Sequence, residues 1–207
     1  MIEIYITNIR DFNESLYQTH FSTLPKNIQK EINKYYQPKD RYRTLAGKIL
    51  LQNYLKKHTN FTLLDIKKTE YKKPYIENTS LNFNISHSGD YVVCAFNKNG
   101  SIGIDIEQNN NQIDLDDFKS ILRKDEWQEI QNAPNKLKKF YTLWTIKEAM
   151  VKNIGRGLFE DIREIQINEK SLFFEDRLYY YKTFMLRGYT VSFVSKRVNY
   201  SLIFYHI

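Results

Sequence analysis

Cysteine is almost missing from this sequence: Cys94 is the only one in 207 residues. An intramolecular disulfide is therefore excluded, and with it a small secreted fold held together by such bonds. A reducing, cytoplasmic setting is expected. Histidine is sparse as well, and His20, His58, His87 and His206, with a single cysteine, offer no zinc-binding spacing. No apolar run approaches the length needed to cross a bilayer. The opening MIEIYITNIR alternates apolar and polar residues and lacks the basic start and apolar stretch of a signal peptide. A soluble protein that does not engage membranes is expected. Low-complexity linkers and strong repeats are also lacking.

What is present is enough apolar material for a substantial core, at 42% of the residues, together with a formal net charge of +7 and a pI near 9.2. That charge favours an acidic partner. A phosphorylated metabolite, a nucleic acid and an acidic protein surface all satisfy it.

Along the chain, Ile2, Ile4 and Ile6 alternate with Glu3 and Tyr5, which predicts an opening strand. A helical region follows, with Pro25 and Pro38 each suited to the first turn of a helix. The segments 64–71, 83–86 and 91–97 read as strands, with Ser88-Gly89-Asp90 as a turn. After Asn99-Gly100, Ile102, Ile104 and Ile106 alternate with Gly103, Asp105 and Glu107. Helical segments are expected at 116–122 and 125–131, then a long helix from about Asn135 to Asn153, stopped by Gly155. Strands are expected at 163–167, 171–174, 178–186, 189–195 and 199–205. The pattern of strand, helices and strands occurs twice, which predicts an α+β architecture in two similar halves, 1–99 and 100–207.

The candidate chemistry begins with Asp105 and Glu107, two residues apart on a strand and so on one face. Either that face is exposed and solvated, or a cation neutralises it. On the long helix, Trp144, Glu148 and Lys152 recur every fourth residue and share a face. Glu148 and Lys152 taken alone form an ordinary helical ion pair. Beside the Asp105 strand, however, Glu148 would complete a three-carboxylate oxygen site suited to Mg²⁺, with Lys152 toward phosphates. The segment Asn84 to Asp90 offers hydroxyls, an imidazole and turn amides that could bind phosphate oxygens, although Ser, Gly and Asp are ordinary turn residues and His87 can simply cap the hairpin. Arg43 and Lys73 are further candidate phosphate contacts.

Taken in order, Lys73-Pro74, Phe83-Asn84-Ile85-Ser86-His87-Ser88-Gly89, Ile102-Gly103-Ile104-Asp105-Ile106-Glu107 and Trp144-Thr145-Ile146-Lys147-Glu148-Ala149-Met150-Val151-Lys152 resemble the signature series of surfactin-type 4′-phosphopantetheinyl transferases. Arg43-Thr44-Leu45 and Gly155-Arg156-Gly157-Leu158 extend the likeness on either side. The resemblance implies two pseudosymmetric α/β halves with coenzyme A and Mg²⁺ bound in the cleft between them. It implies transfer of the phosphopantetheine arm of coenzyme A onto a serine hydroxyl of an apo acyl or peptidyl carrier protein, releasing adenosine 3′,5′-bisphosphate. By the same likeness Asp105, Glu107 and Glu148 would ligate Mg²⁺. Glu148 would act as base, and Lys152 would stabilise the pyrophosphate and departing phosphate. Ser86 and His87 would bind phosphate oxygens, Arg43 the 3′-phosphate, and Lys73 and Pro74 would line the adenine pocket. Trp144 reads as a packing residue.

The chain departs from the family pattern at two places. Ile28 and Glu31 stand where basic 3′-phosphate ligands are common, leaving Lys26, Lys30 and Lys34 nearby, and Lys72 stands where glycine often precedes the adenine-site lysine. The segment 108–122 is the expected carrier surface, with Leu115, Phe118 and Ile121 available for docking or for the core. A monomer that does not bind nucleic acid is expected. The competing functions are a basic nucleic-acid or anion-binding module and a metal-dependent phosphohydrolase.

Overall fold

The computed structural model describes residues 1–157 and 162–207. Leu158, the last residue of the Gly155–Leu158 likeness, lies outside them. Strand β1 (Ile2–Asn8) is followed by α1 (Glu14–Ser22), which the sequence reading did not single out although Asn13 caps it through a bond from the Leu16 amide. Helix α2 (Lys26–Ile32) starts after Pro25, and α3 (Pro38–His58) has proline in its first turn.

Only part of the strand expected at 64–71 forms. Leu63–Asp65 is a 3-10 turn closed by a Thr62–Asp65 capping box, and β2 is confined to Ile66–Lys68, paired with an unanticipated β3 (Pro74–Ile76). Strands β4 (Asn82–Ser88), β5 (Tyr91–Asn97) and β6 (Ile102–Gln108) follow. The segment Leu115–Ile121 is 3-10 rather than α-helical, and α4 (Lys124–Asn132) and α5 (Lys136–Ile154) come next. Helix α5 is capped by Asn135 at its start and ended by Gly155 at φ 78°. The strand expected at 163–167 divides into a 3-10 turn, Ile162–Glu164, and β7 (Gln166–Ile167). Strands β8 (Ser171–Phe174), β9 (Arg177–Leu186), β10 (Tyr189–Ser195) and β11 (Tyr200–Tyr205) complete the chain.

The strands form a four-stranded sheet ordered β11-β1-β5-β4, a five-stranded sheet ordered β6-β10-β9-β8-β7, and the β2-β3 pair. Strand β11 runs parallel to β1, Ile2 opposite Tyr200, so the last strand completes the sheet begun by the first.

Alternation decides what each face meets. Ile2, Ile4 and Ile6 pack with Ile102, Ile104 and Ile106 between the two main sheets, while Tyr5 points the other way, into the core under α3. On β6 the odd residues Gly103, Asp105 and Glu107 turn toward α5, which packs across β6 and β10. The architecture is thus α+β, with two sheets back to back and a long helix on each outer face. Burial of the apolar surface in each layer, worth about 25 cal/mol per Å², drives the stacking.

Gly103 sets the close approach of α5. A Cβ there would collide with the Ala149 carbonyl oxygen and the Asn153 amide. Residues 148 and 152, on either side of that contact, are thereby held at the level of Asp105. Nearby, Thr145 and Thr183 each share a hydrogen bond of 2.7 Å with Ser192, the cross-strand neighbour of Asp105, which pins the helix to the sheet.

Candidate active site

Strands β4 and β6 are edges of different sheets, and they are stitched together through side chains. Asn84, Ser86 and Ser88 lie on one face of β4 by their two-residue spacing. Asn84 Oδ1 accepts from the Ile104 amide at 2.9 Å, Ser86 Oγ donates to Asp105 Oδ1 at 2.9 Å, and Ser88 Oγ donates to Glu107 Oε2 at 3.0 Å. Ser88 Oγ also accepts from the Gln108 amide at 3.0 Å. The two carboxylates of β6 are therefore each oriented by a serine one strand away. From the sequence Asn84 and Ser88 stood out only as members of the 84–90 segment, not as partners of β6. Their register opposite 104, 105 and 107 was the signal, and it is visible only once β4 and β6 are known to be neighbours.

Asp105 is buried, and Lys152 Nζ lies 2.5 Å from its Oδ1 and 3.0 Å from Ser86 Oγ. Its other oxygen, Oδ2, is buried and accepts no hydrogen bond from the described residues. Burial and the Asp105 charge push the Glu107 carboxyl up to about 7, against the Ser88 hydrogen bond and Lys152. Burial also raises Glu148, with Lys152 opposing and Asp105 reinforcing the shift. Asp105, Glu107, Glu148 and Lys152 thus form one electrostatic unit in which negative charge is under-compensated. Among the described residues, no three His, Cys, Asp or Glu are already drawn together as a ligating set.

The remaining predicted residues surround this unit. Arg43 Nε donates to the Gly89 carbonyl at 2.9 Å, and its Nη1 bonds Asp40 Oδ1 at 2.8 Å. Gly89, at φ 53°, has the Tyr189 hydroxyl and the Gln108 side chain packed where a Cβ would stand. His87 points to the α3 side of β4. Although its ring reaches solvent, partial desolvation and the Arg43 and Lys152 charges hold its pKa below the usual histidine value.

Lys73 lies at the far end of α5, its stem over Gly155, and Nζ donates to the Asn153 carbonyl at 2.5 Å. Burial lowers its pKa to about 8. Pro74 opens β3 beside it. Lys72, where glycine was expected, adopts φ 64°, the left-handed region that favours glycine. Glu31 bonds Lys68 at 2.5 Å and lies 3.4 Å from Lys48. Burial pushes its carboxyl up, but those two lysines outweigh it and hold the pKa below the ordinary carboxylate value.

Trp144 packs against Phe118 and Phe140, with centroids at 5.5 and 6.2 Å. Leu115 and Phe118 are half-buried against the same cluster, which favours the packing reading for these two residues of the 108–122 segment. Lys147, beside Glu148 in sequence, is fully buried. Its Nζ lies 2.9 Å from Glu126 Oε1 and donates to the Ile162 carbonyl at 2.8 Å, and the pair joins α4, α5 and the following connection. It was missed because a lysine next to a glutamate reads as solvated surface.

A seam of paired carboxylates, hydroxyls and a lysine between two α/β layers suits an enzyme that handles phosphates. Residues 101–188 match the 4′-phosphopantetheinyl transferase superfamily, and residues 12–99 match the family described as 4′-phosphopantetheinyl transferase, N-terminal. The chain is 32% identical over 174 residues to the 4′-phosphopantetheinyl transferase gsp of Aneurinibacillus migulanus, covering 82% of this chain and 72% of that protein. It is 34% identical over 135 residues to the 4′-phosphopantetheinyl transferase Sfp of Bacillus subtilis (strain 168), covering 63% and 59%. It is 28% identical over 161 residues to the L-aminoadipate-semialdehyde dehydrogenase-phosphopantetheinyl transferase of Mus musculus, covering 70% and 52%. The chain belongs to the 4′-phosphopantetheinyl transferase family, enzymes that transfer a phosphopantetheine group to carrier proteins. Among the described residues no helix is long and apolar enough to cross a membrane.

Proposed function

We propose that this chain moves the 4′-phosphopantetheine group from coenzyme A to a serine hydroxyl of an apo acyl or peptidyl carrier protein, as a cytoplasmic, Mg²⁺-dependent monomer. The observation that supports this most is the convergence of Lys152, Ser86 and Asp105 at the seam of the two sheets, with Glu107 and Glu148 in electrostatic reach. The halves 1–99 and 100–207, the second lending β11 to the sheet of the first, would form the two sides of the substrate cleft.

The buried, unpartnered Oδ2 of Asp105 and the raised Glu107 carboxyl both speak for a missing positive charge, and an all-oxygen donor set suits a hard divalent ion. Asp105, Glu107 and Glu148 would hold Mg²⁺. Bound there, it would neutralise charge building on the pyrophosphate oxygens.

The protein's own groups supply the remaining chemistry. Glu148, whose carboxyl is made more basic by burial, accepts the proton of the carrier serine hydroxyl, directly or through a water. The serine oxygen attacks the phosphorus that bears the pantetheine arm, a new P–O ester bond forms, and the pyrophosphate P–O bond breaks. Adenosine 3′,5′-bisphosphate leaves with the bonding electron pair. Lys152 stabilises the departing phosphate, while Ser86 and His87 hold phosphate oxygens. Arg43 contacts the 3′-phosphate, and Lys73 and Pro74 line the adenine pocket.

Intact mass of a panel of apo carriers, incubated with the protein, coenzyme A and Mg²⁺, tests the reading. A gain of one phosphopantetheine group on at least one carrier is expected. Hydrolysis of coenzyme A with every carrier left unmodified would replace the reading by a phosphohydrolase.

A further inference from the structure

Asp105 Oδ1 is the best-defined carboxylate oxygen of the site, and the protein itself covers it. Lys152 Nζ at 2.5 Å and Ser86 Oγ at 2.9 Å both bond that one atom, and the lysine and serine bond each other at 3.0 Å. The carboxylate beneath is 3% exposed, whereas the lysine side chain is 29% exposed and reaches solvent along a flexible four-carbon stem. The unpartnered Oδ2 is sealed from solvent, so an incoming cation meets the carboxylate first at Oδ1 and has to displace the ammonium there. The ammonium then needs another anion, or it stands as a positive charge beside the incoming one. A diphosphate supplies that anion within the same site.

We infer that Lys152 is a latch on the metal site: it holds Asp105 until a diphosphate-bearing substrate draws it away, so that divalent metal and coenzyme A bind with positive cooperativity. The inference rests on the proposed metal-dependent transfer and concerns the order of loading rather than the reaction. Coupling of this kind is reciprocal, so metal strengthens coenzyme A binding by the factor with which coenzyme A strengthens metal binding.

Mn²⁺ binding, read by the electron paramagnetic resonance of the free ion, tests the latch without turnover. Titrations are run on the full chain with and without saturating coenzyme A, corrected for Mn²⁺ bound by coenzyme A alone, and folding of each variant is checked by circular dichroism. Coenzyme A is expected to tighten Mn²⁺ binding to the native chain by about tenfold or more. Lys152→Met is expected to bind Mn²⁺ about tenfold tighter than the native chain without coenzyme A, and to lose most of the coenzyme A effect. An equal gain in both states is what simple relief of charge repulsion produces, and it overturns the latch. So does an unchanged affinity without coenzyme A. Lys152→Gln, which keeps a polar head, is the second variant should the methionine variant misfold. Asp105→Asn separates the two layers of the claim. If Mn²⁺ binding survives it, the metal assignment itself fails. If binding is lost there but Lys152→Met is no tighter, only the latch fails.

Discussion

Gly103 on β6 and Ala149 on α5 touch backbone to backbone, with no space for a side chain between them. This contact fixes the height of the helix over the strand, and so the distance from Glu148 and Lys152 to Asp105. Gly103→Ala is expected to cost about 1–3 kcal/mol, the usual range for overpacking. The loss should appear as a lower denaturant midpoint. Transfer activity should fall further than that loss of folded protein explains, because the helix is pushed off its seat.

The buried Lys147–Glu126 pair makes a second prediction. Burial lowers the lysine pKa while Glu126 supports the charge, so removing one partner strands the other. Glu126→Gln and Lys147→Met are each expected to destabilise the fold by about 3–5 kcal/mol. The double variant should recover part of that loss, since neither charge is left alone. Chemical denaturation of all four proteins forms the cycle that measures it.

Lys73 predicts a pH dependence. Its pKa falls from 10.5 in the unfolded chain to about 8 in the fold because of burial. Below pH 8 both states carry the proton and the cost of burying the charge is fully present. Between pH 8 and 10.5 the unfolded state holds the proton more tightly, so folded stability gains as pH rises. Stability measured against Lys73→Met should therefore shift toward the native chain across that window, by roughly 1–2 kcal/mol after allowance for solvent screening. A difference that does not change with pH would contradict the burial of this ammonium.

Lys72 occupies a left-handed turn position at φ 64°. Glycine removes strain of about 1–2 kcal/mol there but loosens the unfolded chain by about 0.4–1 kcal/mol. Lys72→Gly is therefore expected to be neutral or stabilising by up to about 1.5 kcal/mol. Thermal denaturation checks the sign, which is opposite to that of an ordinary substitution to glycine.

These residues also mark what the sequence could reveal. Strand β6 and its same-face carboxylates were readable from strict alternation, and α5 from its capping asparagine, four-residue spacing and terminal glycine. Those are local signals, carried within a few turns or rungs. What was not readable depends on contacts between distant segments. Nothing in residues 200–205 says that they will pair with β1, and Ser88 looks like a turn residue until Glu107 lies opposite it. The buried Lys147 is equally silent. Glu31 shows the same limit in reverse, since its fit at a position expected to be basic is explained by Lys48 and Lys68, which are distant in sequence.

The central claim, that the seam of Asp105, Glu148 and Lys152 carries the transfer, is tested most directly by single-turnover modification of an apo carrier followed by intact mass. The native chain with coenzyme A and Mg²⁺ is expected to add one phosphopantetheine group. Asp105→Ala and Glu148→Gln, each shown to be folded, should lower the rate by about 100-fold or more, the scale of losing a general base or charge-stabilising group. Transfer at the native rate by either variant would contradict the account.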